Sequence, residues 1–146
     1  MAQNTTPIFP LVPGISWVSG GGGVAGTPGL VANTTTDLTA GTIYGPLFTA
    51  GANGSRVDFL RSRVLGTNVA TVIRVWVNNG SVTTTAANNT LFMERTLSSS
   101  TVSQVAEQPD LVIPLAVSLP AGYSIYATFG TAVAAGFHLT VVGGDY

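Results

Sequence analysis

Leu65-Gly-Thr-Asn-Val-Ala-Thr-Val-Ile-Arg-Val-Trp-Val-Asn-Asn-Gly80 is the stretch on which the fold reading turns. In an extended chain, neighbouring side chains project to opposite faces. Val69, Thr71, Ile73, Val75 and Val77 therefore share one side, and Ala70, Val72, Arg74 and Trp76 the other. Both sides are largely apolar, whereas a strand buried on one face alternates between apolar and polar. The stretch predicts a strand inside a sheet whose second face is covered by another sheet, a ligand or a subunit. Asn79-Gly80 tolerates positive φ and predicts a tight reversal into a hairpin.

Outward from this strand the pattern repeats. Short strands are expected over 42–50, 55–65, 90–97, 110–119, 123–129 and 137–142, punctuated by Gly51-Ala-Asn-Gly54, a serine-rich loop at 98–109 and Leu119-Pro-Ala-Gly-Tyr123. Gly45-Pro46 and Pro114 place their strands at edges or bulges, because proline cannot donate to a ladder. A change of apolar side near Leu60 predicts a bulge there. Leu91, Met93 and Leu97 are the expected core face of 90–97. Seven or eight strands with no helical pattern predict an all-β antiparallel sandwich, jelly-roll-like, with an immunoglobulin-like sandwich as the alternative.

The first 41 residues read differently from the β-sandwich domain expected over 42–146. Pro7, Pro10 and Pro13 forbid a helix over 1–18 and leave Ile8, Phe9, Leu11, Val12, Ile15 and Trp17 in an extended, proline-rich N-terminal arm. That arm either docks on a neighbour or lies as a strand on its own domain. Gly20 to Gly23, Gly26 and Gly29 form a linker, and 30–41 reads as an edge or weakly ordered segment. Gly21-x-Gly23-x-x-Gly26 matches a dinucleotide fingerprint in letters only, since Thr27-Pro28-Gly29 cannot begin the required helix.

Composition bears on the job. The chain has 146 residues, enough for one core, and only 8% are charged against about 25% in an average globular domain. A surface so poor in charge is expected to be shared with neighbours, as in an oligomer or lattice. There is no lysine, and Arg56, Arg61, Arg63, Arg74 and Arg95 are too few and dispersed to track a phosphate backbone, so nucleic acid is not an expected partner. No apolar run approaches the roughly 20 residues of a membrane helix, and no export signal is read at the start. Asn-x-Ser/Thr triplets beginning at Asn4, Asn33, Asn53, Asn79 and Asn88 are read as turn chemistry.

Little here suits catalysis, and no enzyme activity or cofactor is expected. His138 is the sole histidine and no Gly-x-Ser-x-Gly elbow accompanies it. Glu107 and Asp110 flank Pro109 without a third metal ligand at suitable spacing. Trp17, Trp76, Tyr44, Tyr123 and Tyr126 could stack on sugars, but they read first as core and subunit-interface rings. Arg61, Arg63 and Arg74 suit inter-subunit pairing, because a guanidinium binds carboxylates bidentately and tolerates partial burial.

Asn53-Gly-Ser-Arg-Val57, Leu65-Gly-Thr-Asn-Val-Ala-Thr71, Asn78-Asn-Gly80, Leu119-Pro-Ala-Gly-Tyr123 and the ending Gly143-Gly-Asp-Tyr146 resemble small β-rich structural proteins of tailed-bacteriophage virions. The resemblance implies a head decoration (cement) protein: a homotrimer on the outer capsid surface, assembled in the host cytoplasm, that stabilises contacts between subunits of the major capsid protein. It carries over no functional residue. On this expectation the arm residues Ile8, Phe9, Leu11, Val12 and Trp17 contact the capsid, and Arg61, Arg63, Arg74 and Trp76 build the subunit interface. The alternative is a tail-fibre or receptor-binding module that recognises a glycan.

Overall fold

The computed structural model describes residues 10–19, 31–35 and 37–146, with the backbone alone for 17–19. The described residues form eight strands: β1 (Val12–Ser19), β2 (Tyr44–Thr49), β3 (Ser55–Val64), β4 (Thr71–Asn78), β5 (Asn89–Leu97), β6 (Asp110–Leu119), β7 (Ser124–Phe129) and β8 (Phe137–Asp145). A single turn of 3-10 helix, Ala86–Asn88, lies between β4 and β5.

β1 pairs with β8, β2 with β7, β3 with β6 and β4 with β5, all antiparallel. This is a long ribbon folded back on itself. β3 also pairs with β8, and β4 with β7, which rolls the ribbon into two four-stranded sheets of order β1-β8-β3-β6 and β2-β7-β4-β5. That nesting is the jelly roll. Alternation supplies the core between the sheets: Val57, Leu60, Ile73, Val75, Ile113, Ile125, Leu139 and Val141 have no exposed surface. Phe129 meets Tyr44 edge-on with ring centroids 4.9 Å apart, and stacks on Phe137 across the sandwich at 4.7 Å.

Several local expectations meet specific features. β4 lies between β7 and β5, as its two apolar faces require. Pro114 is in the edge strand β6, and Gly45-Pro46 is in the edge strand β2, where the register shifts between Tyr44 and Phe48. Against β8 the bulge in β3 falls at Asp58, between Val57 and Phe59, whereas against β6 the extra residue is on β6, between Pro114 and Val117. The reversal after β4 is not a two-residue turn. Asn78 pairs with Asn89, and residues 79–88 form a longer loop held by Asn side chains: Asn89 Nδ2 donates to the Thr83 and Thr85 carbonyls at 2.8 and 3.0 Å. Leu91 is not on the core face either. A bulge at Phe92 puts Leu91 opposite Trp76 while Met93 stays opposite Val75 and packs on the core.

Of the arm read over 1–18, the part from Val12 onward is the edge strand β1, in register with β8 from Val12↔Asp145 to Ser19↔His138. This is the alternative in which the segment lies on its own domain; Pro13 is accommodated because the strand is at an edge. Ile8 and Phe9, and the side chain of Trp17, lie outside the described residues. The sequence boundary at residue 42 thus separates β1 from the sheet it completes. Residues 31–35 and 37–41 also belong to the packed body, with Asn33 and Leu38 fully buried.

Candidate interaction surface

The outward faces of the two sheets differ. On the β2-β7-β4-β5 sheet, Arg74 and Trp76 project away from the core, on the side opposite Ile73 and Val75. Trp76 is nonetheless 1% exposed. It lies in register with Tyr126 on one side and Leu91 on the other, and its Nε1 donates to Thr128 Oγ1 at 2.9 Å. Asn33 binds this sheet, its N–H donating to the Phe129 carbonyl at 2.8 Å while its own carbonyl accepts from Arg74 Nη1 at 2.5 Å.

The loop carrying Asn33 closes on itself. Thr42 N donates to the Val31 carbonyl at 3.0 Å, and Asn33 Nδ2 donates to the carbonyls of Asp37 and Ala40 at 2.9 and 2.8 Å. Asp37 Oδ1 accepts from Thr39 Oγ1 at 2.6 Å, from Thr39 N at 3.1 Å and from Thr35 Oγ1 at 2.9 Å, and these donors hold its carboxyl below the usual range. Arg74 completes its bonding by pairing with Glu94 Oε1 at 2.7 Å across β4 and β5. Arg74 and Trp76, expected at a subunit interface, are thus engaged within their own chain, and Trp76 has almost no surface to offer a neighbour. Sequence reasoning missed the loop that binds Arg74 because an irregular loop has no periodicity; the Asn-Thr-Thr-Thr-Asp run at 33–37 is the available signal.

The outward face of the β1-β8-β3-β6 sheet is arranged otherwise. Directly opposed residues of antiparallel neighbours share a face, so register assembles rows across it. Ile15, Val142, Phe59 and Pro114 form an apolar row crossing all four strands. Beside it, Thr140, Arg61 and Val112 are in register, followed by His138, Arg63 and Asp110. Ile15 is 62% and Val112 52% exposed, Pro114 is exposed, and Phe59 and Val142 are half-buried outside the core.

Charge is confined to one end of this face and to the bulge. Arg61 Nε donates to Asp110 Oδ2 at 2.8 Å. The bond and charge of Arg61 hold the Asp110 carboxyl below the usual range and push the guanidinium's own ionisation further up. Arg63 and His138 are exposed in the next row, and Arg56 pairs with Asp58 at 3.3 Å. Arg61 and Arg63, expected at a subunit interface, thus face outward beside an apolar row that the sequence does not reveal. Leu11 and Val12, at the start of β1, are 81% and 61% exposed.

The other candidate chemistry disperses. Asp110 pairs with Arg61 and not with Glu107. Among the described residues no three His, Asp or Glu side chains converge as metal ligands. Tyr44 is buried in the core, where desolvation pushes its phenol far above the ordinary value, and neither it nor Trp76 can serve as a sugar platform. No helix among the described residues is long and apolar enough to cross a membrane.

The fold and this surface define a jelly-roll sandwich in which Arg74 and Trp76 of one sheet are engaged within the chain and the other sheet presents an apolar row outward. No protein-family model matches the chain, and no curated protein matches it. Among solved structures, the cleaved adhesin domain of Lys-gingipain from Porphyromonas gingivalis is similar with a TM-score of 0.37 and 14% identity, over 72% of this chain and 63% of that one.

Proposed function

We propose that the chain is a structural virion protein, a head decoration protein whose copies associate as trimers on the outer surface of a phage head and stabilise contacts between major capsid subunits. The observation that carries this reading is the apolar row Ile15–Val142–Phe59–Pro114, presented outward by a chain in which only 8% of residues are charged. Contiguous apolar patches of this kind mark interaction sites in soluble domains. The copy-to-copy contact is assigned to this face, with Arg61 and Arg63 at its polar end, in place of the covered Arg74 and Trp76. Capsid contact is assigned to the segment that leads into β1 through the exposed Leu11 and Val12. The alternative of glycan recognition by a tail-fibre module is weakened by the burial of Tyr44 and Trp76.

The test is sedimentation velocity of the purified protein followed by co-sedimentation with phage heads lacking decoration. A concentration-dependent trimer that binds heads supports the reading; a monomer at high concentration with no affinity for heads refutes it. Since 12–19 is part of the sheet, the deletion that isolates the arm removes residues 1–9. It is expected to leave the trimer and weaken head binding.

A further inference from the structure

Where β4 ends and β5 and β7 begin, the inner side of the β2-β7-β4-β5 sheet continues past the core into an open pocket of about 250 Å³. Val77 is in register with the core residue Ile125 on one side and with Thr90 on the other, so the exposed Thr90 stands on the core side of the sheet, at the mouth of the sandwich. One position further out, Asn79 N donates to the Asn88 carbonyl at 3.0 Å, and both side chains line the pocket. Tyr123, from the turn before β7, forms the facing wall. That turn and the loop after β4 meet at Gly80, where a Cβ would stand 2.8 Å from the Gly122 carbonyl oxygen. Tyr123 packs on the core yet is only half-buried, unlike Tyr44 and Trp76.

The amides at the rim are held in place by the loop itself. Asn79 Oδ1 accepts from Ser81 N at 3.1 Å, Asn79 Nδ2 donates to Asn88 Oδ1 at 3.3 Å, and Asn88 Nδ2 donates to the Val82 carbonyl at 3.0 Å. A primary amide carries two N–H donors and an oxygen with two lone pairs. Each of these two therefore keeps one donor and one acceptor unused among the described residues, on side chains that are exposed (Asn79) or half-buried (Asn88). Every polar group lining the pocket is neutral.

A fixed donor beside a fixed acceptor matches a hydroxyl group, which both gives and takes a hydrogen bond. The apolar wall of Val77 and Tyr123 matches the C–H face of a sugar ring. A charged ligand would lose its water without meeting an opposite charge, and a wholly apolar one would leave the amides unpaired. The volume is below the roughly 300–1,000 Å³ of sites for drug-sized molecules, which suits a single ring. From these features we infer that the mouth is a binding site for one neutral sugar ring, its hydroxyls bonded by Asn79, Asn88 and Thr90 and its apolar face laid on Tyr123 and Val77. The site shares no residue with the row Ile15–Val142–Phe59–Pro114 and does not rest on the assembly reading. One ring has few atoms, so a dissociation constant of roughly 1 mM is expected.

The experiment is titration of the full chain with the methyl glycosides of glucose, galactose and mannose, and with glucuronate and N-acetylglycinamide for comparison, followed by backbone and side-chain amide shifts in two-dimensional NMR. At least one glycoside is expected to give saturable shifts at Asn79, Asn88, Thr90 and Tyr123 and to bind more tightly than both comparison compounds. Thr90→Val and Asn79→Ala should each weaken it about 3- to 10-fold, the share of one hydrogen bond. Thr84→Ala, exposed in the same loop but outside the pocket, should leave it unchanged. Dextran or mannan in place of the glucoside or mannoside distinguishes a polysaccharide from a free sugar as the source of the ring. Absence of saturable shifts at these residues with all three glycosides overturns the inference, as does tighter binding of glucuronate or N-acetylglycinamide. So does an affinity that neither Thr90→Val nor Asn79→Ala moves.

Discussion

Trp76 Nε1 donates to Thr128 Oγ1 over 2.9 Å, and both residues are shut off from solvent on the outward side of their sheet. An indole N–H has no other way to be satisfied there. Thr128→Val keeps the shape and removes the acceptor, and is expected to cost about 1–3 kcal/mol as the price of an orphaned buried donor. Thr128→Ser keeps the acceptor and should cost about 0.8 kcal/mol for one lost methyl. Urea denaturation followed by tryptophan fluorescence checks the order of the two; equal losses would show that the bond is not what the site depends on.

Gly143 stands in β8 between Gly14 of β1 and Val57 of β3. A Cβ there would collide with the Arg56 carbonyl oxygen and come within 3.1 Å of Val57 Cα, both backbone atoms that cannot swing aside. Gly143→Ala should therefore destabilise by about 1–3 kcal/mol or more. Gly14→Ala is the control. Its Cβ meets nothing closer than Phe48 at 3.6 Å, and reduced chain entropy should leave it neutral or up to about 1 kcal/mol stabilising. Thermal melts of the two variants should move apart.

Alternation and turn residues suffice for β2 to β8 and for a sandwich, because a half-buried strand declares its faces in sequence; the jelly-roll order, and the place of β1 beside β8, come only from the pairing of strands far apart in the chain. Alternation identified the second apolar face of β4, yet not the loop that binds Arg74 on it, since the loop around Asn33 is held by side-chain bonds to carbonyls with no repeat to detect. Leu91 was misplaced because a bulge at Phe92 shifts the alternation by one residue. The row Ile15–Val142–Phe59–Pro114 was illegible for another reason. Its members come from four strands far apart in sequence, and only register brings them together.

Ala116, on edge strand β6, has φ of 49°. A residue with a Cβ is strained in this left-handed region by roughly 1–2 kcal/mol, which glycine avoids. The residue lies where the pairing of β3 and β6 shifts register, between Val117 and Pro114. Ala116→Gly should stabilise by about 0.5–1 kcal/mol after the entropy of the more flexible unfolded chain is subtracted. A urea midpoint that falls instead would show that the bulge relaxes without strain.

Arg61 lowers the carboxyl of Asp110, and Thr39 and Thr35 lower that of Asp37. A carboxyl whose folded value lies below its unfolded one, about 3.9, stabilises fully above that pH and loses the contribution as pH falls through the folded value. Arg61→Ala should thus be slightly less stable than the parent at pH 7, with a gap that closes below about pH 4. Because the pair is partly exposed, added salt should narrow the gap at pH 7 as well. A gap unchanged from pH 7 to pH 2 would mean that Arg61 acts through packing of its alkyl stem.

Phe59 is at the centre of the outward apolar row, in register with Val142 and Pro114, and contributes nothing to the core between the sheets. A charge there would be tolerated by a solvated surface but not by a face buried against another copy, where an unpaired carboxylate is strongly disfavoured. Phe59→Asp is expected to leave the circular dichroism spectrum and unfolding midpoint near those of the parent at low concentration, while abolishing the concentration-dependent species in sedimentation velocity. Val112→Asp, in the adjoining row beside Arg61, should weaken association less, since the nearby guanidinium partly neutralises the new charge. The same substitution at Val82, exposed in the loop after β4, should do nothing. Self-association that survives Phe59→Asp unchanged would remove this face from the assembly and, with it, the observation on which the virion reading rests.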